Sequence, residues 1–392
     1  MGRARERTPA GSLLTRPLLL LTAAGFASLF GFQLLLSVVP LYAERAGGGS
    51  AGAGLATAAF MLSTVLTQTQ MPRILNRFGY RASLAGGLLL LGLPAILYAP
   101  AQGLPGILAL TLLRGVGFGV VTVIFAALVV ELAPPGRHGE ALGLLGIALT
   151  LPTIFCNSLG LWLAEREGYL TVFLLGAAAP TLGLLAVSGI PPVDPGKEQE
   201  PPGFLAGLRR GPLLRILLLF SAVTLASGVV VTFLPLARPG TGPFSAAGAL
   251  LAVGAASTAG RWWAGRFGDR RDPALLLAPA LALCAAGVAA LTGPGPVLLG
   301  GALAFGAGFG VLQNATLMVV MRRVRRSERG LGSTLWNAAF DAGTGLGAFC
   351  FGLIFSSLGF SGSFYLCAAL VASALLLVYL DRRKTPPGSL GV

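Results

Sequence analysis

The sequence predicts an all-α polytopic membrane protein with twelve transmembrane helices in two pseudo-symmetric six-helix halves. Three observations predict it. Apolar runs of about 20 residues, long enough to cross a ~30 Å hydrocarbon layer, recur along the chain between clusters of Gly, Pro and Arg. Basic residues gather in alternate connections between those runs, as the positive-inside rule requires. Short segments also recur half a chain apart. SVVPLYA at Ser37 parallels TFLPLAR at Thr232, and SAGAGL at Ser50 parallels SAAGAL at Ser245, both at an offset of 195; GVGFGV at Gly115 parallels GAGFGV at Gly306 at 191. Several matches with a drifting offset indicate duplication, and repeats of this kind place a ligand site near the midplane between the halves.

The spans fall near 17–41, 50–71, 82–100, 104–131, 140–163, 169–190, 213–236, 244–264, 273–293, 295–321, 331–357 and 361–381. The first follows arginines, as a secretory signal does, but is too long for a typical apolar signal core and reads as an uncleaved span. The expected organisation is a cytoplasmic tail (1–16), a first half (17–190), a Pro-rich charged cytoplasmic linker (191–212), a second half (213–381) and a cytoplasmic tail (382–392). With both termini cytoplasmic, all but four of the 28 basic residues lie inside; Arg45, Arg166 and Arg238 lie outside, and Arg114 lies within a span. Arg77, Arg270 and Arg325 are then cytoplasmic, and Glu165 and Arg238 external.

Composition agrees: 55% of residues are hydrophobic, 11% are charged, and mean hydropathy is +0.81. The 57 glycines suit close helix approach in lipid, where small residues replace the missing hydrophobic drive between helices. Nearly all of the net charge of +14 sits in short connections, which makes a nucleic-acid surface a poor reading. Cys156, Cys284, Cys350 and Cys367 lie in apolar spans without CxxC spacing or a neighbouring histidine, and His138, the only histidine, lies in a loop. No metal site, cofactor or catalytic constellation is expected; Walker, dinucleotide and GxSxG patterns are missing. The chain reads as not an enzyme.

Asp341 is the acidic residue that stands out, twelve residues beyond Arg329 in an apolar segment, or about 18 Å inside the layer. Intramembrane ionisable groups are costly and by default functional. Asn337, Asp341 and Gly345 share a helix face. Arg114 lies about 15 Å inside its span, on a face with Thr111, Phe118 and Thr122. Its guanidinium is suited to an anionic substrate, to neutralising Asp341, or to backbone carbonyls. By the internal repeat Gln313 corresponds to Thr122, Phe305 to Arg114 and Thr150 to Asp341, so the two ionisable groups are asymmetric additions. Gln313 and Asn314 lie at a depth similar to Asp341, and Gln33 and Ser37 form an i, i+4 pair; such amides either meet a polar ligand or satisfy neighbouring helices.

Two connections, MPRILNRFGYRASL after the second span and GRWWAGRFGDRRDPALL after the eighth, carry an incomplete repeat. The first offers Pro72, Asn76, Arg77, Gly79 and Arg81; the second offers Gly265, Asp269 and Arg270, with Arg261 upstream. Both resemble the GxxxDRxGRR loop of the major facilitator superfamily, with Asn76 in the place of the aspartate. The resemblance in layout covers essentially the whole chain. It implies alternating access and a cytoplasmic gate latched by charge pairing, here between these arginines and Glu131 and Glu140. PPGRHGEALG and WNAAFDAGTGLGA resemble bacterial efflux-type members, although Cys156, Asn157 and Gly160 stand where exporting members often have Gly-Pro-x-x-Gly.

The resemblance implies a monomeric secondary transporter in a bacterial cytoplasmic membrane, exporting a small organic molecule with a proton gradient as energy source. Asp341, Asn337, Arg114, Gln313, Asn314, Gln33 and Thr122 form the expected proton and substrate cavity. Two alternatives stay open: uptake or facilitated diffusion of an organic anion through Arg114, and a lipid scramblase or flippase.

Overall fold

The computed structural model describes residues 15–101, 103–134, 137–191, 207–325 and 328–384. Most of the expected linker and both outer tails therefore lie outside the described residues. Within them the chain is helical and contains no strand. Eight stretches are long and apolar enough to cross a membrane. One of them, Arg16–Tyr98, holds 83 residues, which at 1.5 Å each would run roughly 125 Å if straight. It must fold back, and glycines mark where. α1 (Arg16–Leu36) and α2 (Val38–Ala43) make the first crossing; the chain turns at Gly47, with φ +92°, and returns in α3 (Gly49–Gly92), which reverses at Gly79, with φ +69°. Only glycine adopts that left-handed conformation without cost.

α4 (Gly103–Leu132), α5 (His138–Arg166) and α6 (Tyr169–Val187) complete the first half. The second runs through α7 (Gly211–Ala237), α8 (Ala246–Gly268), α9 (Leu277–Ala290) and α10 (Gly295–Arg323). α11 (Arg329–Ser373) reverses at Gly359, with φ +66°, and α12 (Leu375–Lys384) continues past the expected end at 381. Counting a reversal at each break, this fits twelve crossings.

The duplicated glycine segments pack identically. In α4, Gly115 and Gly119 sit against Phe60 and Thr64 of α3, while Gly117 sits against Gly87 and Leu91 beyond the Gly79 turn. In α10, Gly306 and Gly310 sit against Val253 and Ser257 of α8, while Gly308 sits against Ala280 and Cys284 of α9. The outer two glycines of each copy thus admit one neighbour, and the middle one admits the other.

The ends of the bundle differ. Arg16, Gly79, Glu131 and Arg323 lie at one end, hereafter the basic end; Gly47, Glu165, Gly240 and Gly359 lie at the opposite end. One apolar core joins the halves towards the opposite end, including Leu34, Val38 and Ala53 of the first with Val229, Phe233 and Ala247 of the second. A separate core, from Leu18 to Ile190, belongs to the first half alone. Hydrogen bonds between described residues that join the halves are Glu165 to the Gly240 N–H, Ser50 to the Gly352 carbonyl, Thr57 to Thr232, and Gln68 to Asp341. All lie at or beyond Gln68–Asp341 on the opposite-end side. At the basic end, among the described residues, Glu328 accepts a bidentate pair from Arg210 of the linker, and Asp381 holds both Arg215 and Arg323 within the second half. Among the described residues, the hydrogen bonds between the halves thus gather towards the opposite end.

Candidate functional site

Asp341 lies where α11 is sandwiched between the two halves. One face meets α7, with Gly343 against Ser221 and Thr224; the other meets α3, with Gly345 against Met61. The carboxyl is 6% exposed, and its Oδ2 accepts 2.9 Å from Gln68 Nε2 of the other half. Among the described residues no ion pair forms there. Gln68 Oε1 is buried with no partner.

Gln68 went unread in the sequence because it falls in TQTQ near the polar edge of its span, where amides are common. Its spacing carries the signal. Gly54, Met61 and Gln68 are seven residues apart and meet Ala348 and Gly352, then Gly345, then Asp341. This is one straight antiparallel seam, since a seven-residue step returns nearly to the same helix face.

Asn337, one turn nearer the basic end, is exposed and donates only to the Ser333 carbonyl at 2.9 Å. It is the one expected cavity residue that is exposed.

Arg114 does not meet Asp341. The guanidinium is 2% exposed, donates from Nε to the Leu91 carbonyl at 3.0 Å, and sits over the rings of Phe60 and Tyr98, 5.7 Å from each. Phe60 precedes Gln68 by eight residues, or about 12 Å along α3. Of the three roles open to Arg114, neutralising Asp341 is excluded here and pairing with a backbone carbonyl is observed. Its Nη2 has no partner; it borders a void of about 20 Å³ lined by Thr57, Thr111 and Phe32, room for about one water. A second cavity, about 470 Å³, opens at the opposite end between α5 and α8, lined by residues including Phe155, Trp162, Pro243 and Leu251; it holds none of the expected site residues.

The amides mostly strap helices within one half. Asn157 donates to Gln33 Oε1 at 2.9 Å and accepts from Ser37 at 3.1 Å, tying α5 to the first crossing. Asn314 donates to the Arg261 carbonyl at 3.2 Å and closes on Gly265. Gln313 is buried on α10, and Thr122 bonds back to Phe118 of its own helix.

The expected gate pairs are not made. Arg81 donates to the Ser188 carbonyl, and Arg77 is exposed over the Phe78 ring. Glu140 pairs with Arg137 three residues before it, and that hydrogen bond holds its carboxyl below the usual carboxylate range. Glu131, Asp269 and Arg270 are exposed without an ion pair, and half-buried Arg261 has no acidic partner among the described residues. Gly79 serves as the turn. Arg322, not Arg270, ties the loop after α8, donating to the Gly268 carbonyl and facing Asp272. Among the described residues, the paired charges of these loops are satisfied within their own half.

Comparison with known proteins agrees with this architecture. The family model described as Major Facilitator Superfamily matches residues 21–331 and 295–391. The inner membrane transport protein YdhP of Escherichia coli O157:H7 is 25% identical over 372 residues, covering 90% of this chain and 92% of that protein. A chloramphenicol resistance protein of Streptomyces lividans is 31% identical over 294 residues, covering 70% and 72%. In fold, the crystal structure of a D-xylose-proton symporter matches with TM-score 0.79 at 15% identity, covering 97% of this chain and 100% of that one. A bacterial homologue of the human lysosomal transporter Spinster matches with TM-score 0.78 at 16% identity, covering 96% and 100%. The chain belongs to the Major Facilitator Superfamily and is a multi-pass membrane transporter of small molecules, not an enzyme.

Proposed function

We propose that this chain is a proton-coupled exporter of a small organic molecule, working as a monomer in a bacterial cytoplasmic membrane. The positive-inside rule supports a cytoplasmic basic end, and the hydrogen bonds between the halves at the opposite end support an inward-facing state. Residues 17–190 and 213–381 rock as two bodies joined by 191–212. The observation that carries the reading is Asp341, a carboxyl buried at the contact between those bodies with no cation beside it among the described residues. A buried carboxylate without a counter-ion is costly, so its protonation state and the separation of the halves are linked. Exposed Asn337, one turn away, gives the proton and a polar substrate group a route from the basic end. The name of the Streptomyces relative makes chloramphenicol the first substrate to try.

Proteoliposomes with an imposed pH gradient test the reading. Chloramphenicol, then a panel of small amphiphiles, should accumulate against its gradient with counterflow of protons. Asp341→Asn keeps size and hydrogen bonding but cannot cycle a proton; it should abolish uphill accumulation and spare downhill exchange. Uphill transport by that variant at the wild-type rate moves the proton site elsewhere, and lipid scrambling without proton movement overturns the exporter reading. A second reading, passage of an organic anion through Arg114, is favoured by the unpartnered Nη2 and predicts transport that the gradient does not drive.

A further inference from the structure

The amide of Gln68 is only half used. Nε2 donates to Asp341 Oδ2, while Oε1 is buried and accepts nothing. A carboxylate accepts but cannot donate; a carboxylic acid does both. An amide edge facing a carboxyl group can therefore make one hydrogen bond to the ion and two to the acid. We propose that Gln68 is a positioning residue that converts protonation of Asp341 into closure of the opposite end, adding a second hydrogen bond across the halves when the proton arrives. This rests on Asp341 being the proton site.

The proton balance is simple. One proton from water forms the Oδ1–H bond, that hydroxyl donates to Gln68 Oε1, and no other covalent bond changes. On release the proton returns to water, leaving a carboxylate with Nε2–H as its side-chain donor.

Which form favours the closed seam depends on two opposing effects. The bond from Nε2 to a charged acceptor is stronger than to a neutral one. Against it stands burial of an ion that has one side-chain donor for several lone pairs, which a single bond does not offset. Among the described residues no charge opposes that conclusion. α3 contributes Arg73, Arg77 and Arg81 near the basic end, engaged with Gln70, the Phe78 ring and Ser188. α7 presents Ser221 and Thr224, whose hydroxyls bond the Ala339 carbonyl, and its Arg215 pairs with Asp381 of α12. α10 holds Arg322 against Asp272 and Arg323 against Asp381, and α9 carries no charged residue. The neutral acid is the form that fits.

The effect travels because the contact ends a straight seam. Gly345–Met61 and Gly54–Gly352 continue it to the opposite end, so loosening at Gln68–Asp341 favours parting along its length. Hydrogen bonds between membrane helices shift populations by roughly three- to twentyfold. The direction suits exchange. A proton from outside closes the opposite end, and its release inside frees the substrate-loaded protein to reopen there.

Spin labels at exposed Glu167 and Thr241, one in each half at the opposite end, report that closure as a distance. In the wild type the short-distance population should dominate at low pH and fall three- to twentyfold as pH rises. Gln68→Met removes both hydrogen bonds, two from the acid form and one from the ion: it should lower the short-distance population at low pH and move the midpoint of the transition downward. Gln68→Lys keeps a donor and adds a permanent charge beside the carboxylate, so its midpoint should move downward. Midpoints unchanged in both variants overturn the role of Gln68, even if either protein is less stable. A wild-type pH profile in Asp341→Asn instead overturns Asp341 as the proton site, which separates the two failures.

Discussion

Thr57 of α3 and Thr232 of α7 share a 2.9 Å hydrogen bond across the two halves, both fully buried or nearly so. Thr57 also lines the small void beside Arg114, together with Val39. Because the bond joins the halves, it must break when they part at that end.

Thr57→Val should therefore favour the state open at the opposite end. An average hydrogen bond between membrane helices is worth about 0.6 kcal/mol, or roughly threefold in population. A cysteine at Val39, labelled by an impermeant thiol reagent from the opposite side, should react about three times faster in the variant. An unchanged rate would mean that the two hydroxyls are equally satisfied apart.

The mirrored glycines predict mirrored defects. A Cβ at Gly117 would lie 2.6 Å from the Gly87 carbonyl oxygen, and one at Gly308 would lie 2.8 Å from that of Ala280. Gly117→Ala and Gly308→Ala should each destabilise by ~1–3 kcal/mol, lowering Tm by several degrees. Gly300→Ala, on the same helix as Gly308 but with open space around it, should be neutral or gain up to ~1 kcal/mol from helix propensity. Thermal unfolding in detergent distinguishes them.

The helical architecture and duplication were legible because a bilayer leaves little choice: every span must be long, apolar and internally hydrogen-bonded. The depth of Asp341 followed from counting residues. Its partner did not, because a contact between α3 and α11 depends on how the halves meet, and Gln68 is one of several amides in its stretch. Arg114 shows the same limit. Depth along a helix was readable, but the side on which Leu91, Phe60 and Tyr98 enclose it was not. The gate pairs expected with Glu131 and Glu140 are not made here, because sequence proximity to the basic end says nothing about which conformation brings those carboxylates within reach.

Glu328 provides a pH test outside the membrane. The Arg210 guanidinium, and then the Arg325 N–H, push its carboxyl down to about 2. A depressed carboxyl contributes stability that is fully present above its ordinary value of 4.5 and lost as pH falls towards 2. Glu328→Gln should therefore lower Tm at neutral pH, and the gap from wild type should narrow steadily below about pH 4.5. A gap constant across that range would mean that the ion pair contributes nothing in solution.

Topology is tested by single cysteines at Arg77, Arg270, Arg325, Glu165 and Arg238. An impermeant reagent added outside intact cells should label the last two alone. External labelling at position 270 would invert one loop and change the parity of every crossing after it.

The clasp of Arg215 and Arg323 on Asp381 has a consequence for biosynthesis. Both arginines are largely enclosed, at 16% and 7% side-chain exposure, yet their shared counter-charge is the last of the three to be translated. Until residue 381 leaves the ribosome, α7 and α10 carry two cations with no anion to receive them, so the second half must wait loosely assembled while the first can already settle. A chain stopped after residue 380 should keep a protease-resistant first half and lose protection in the second.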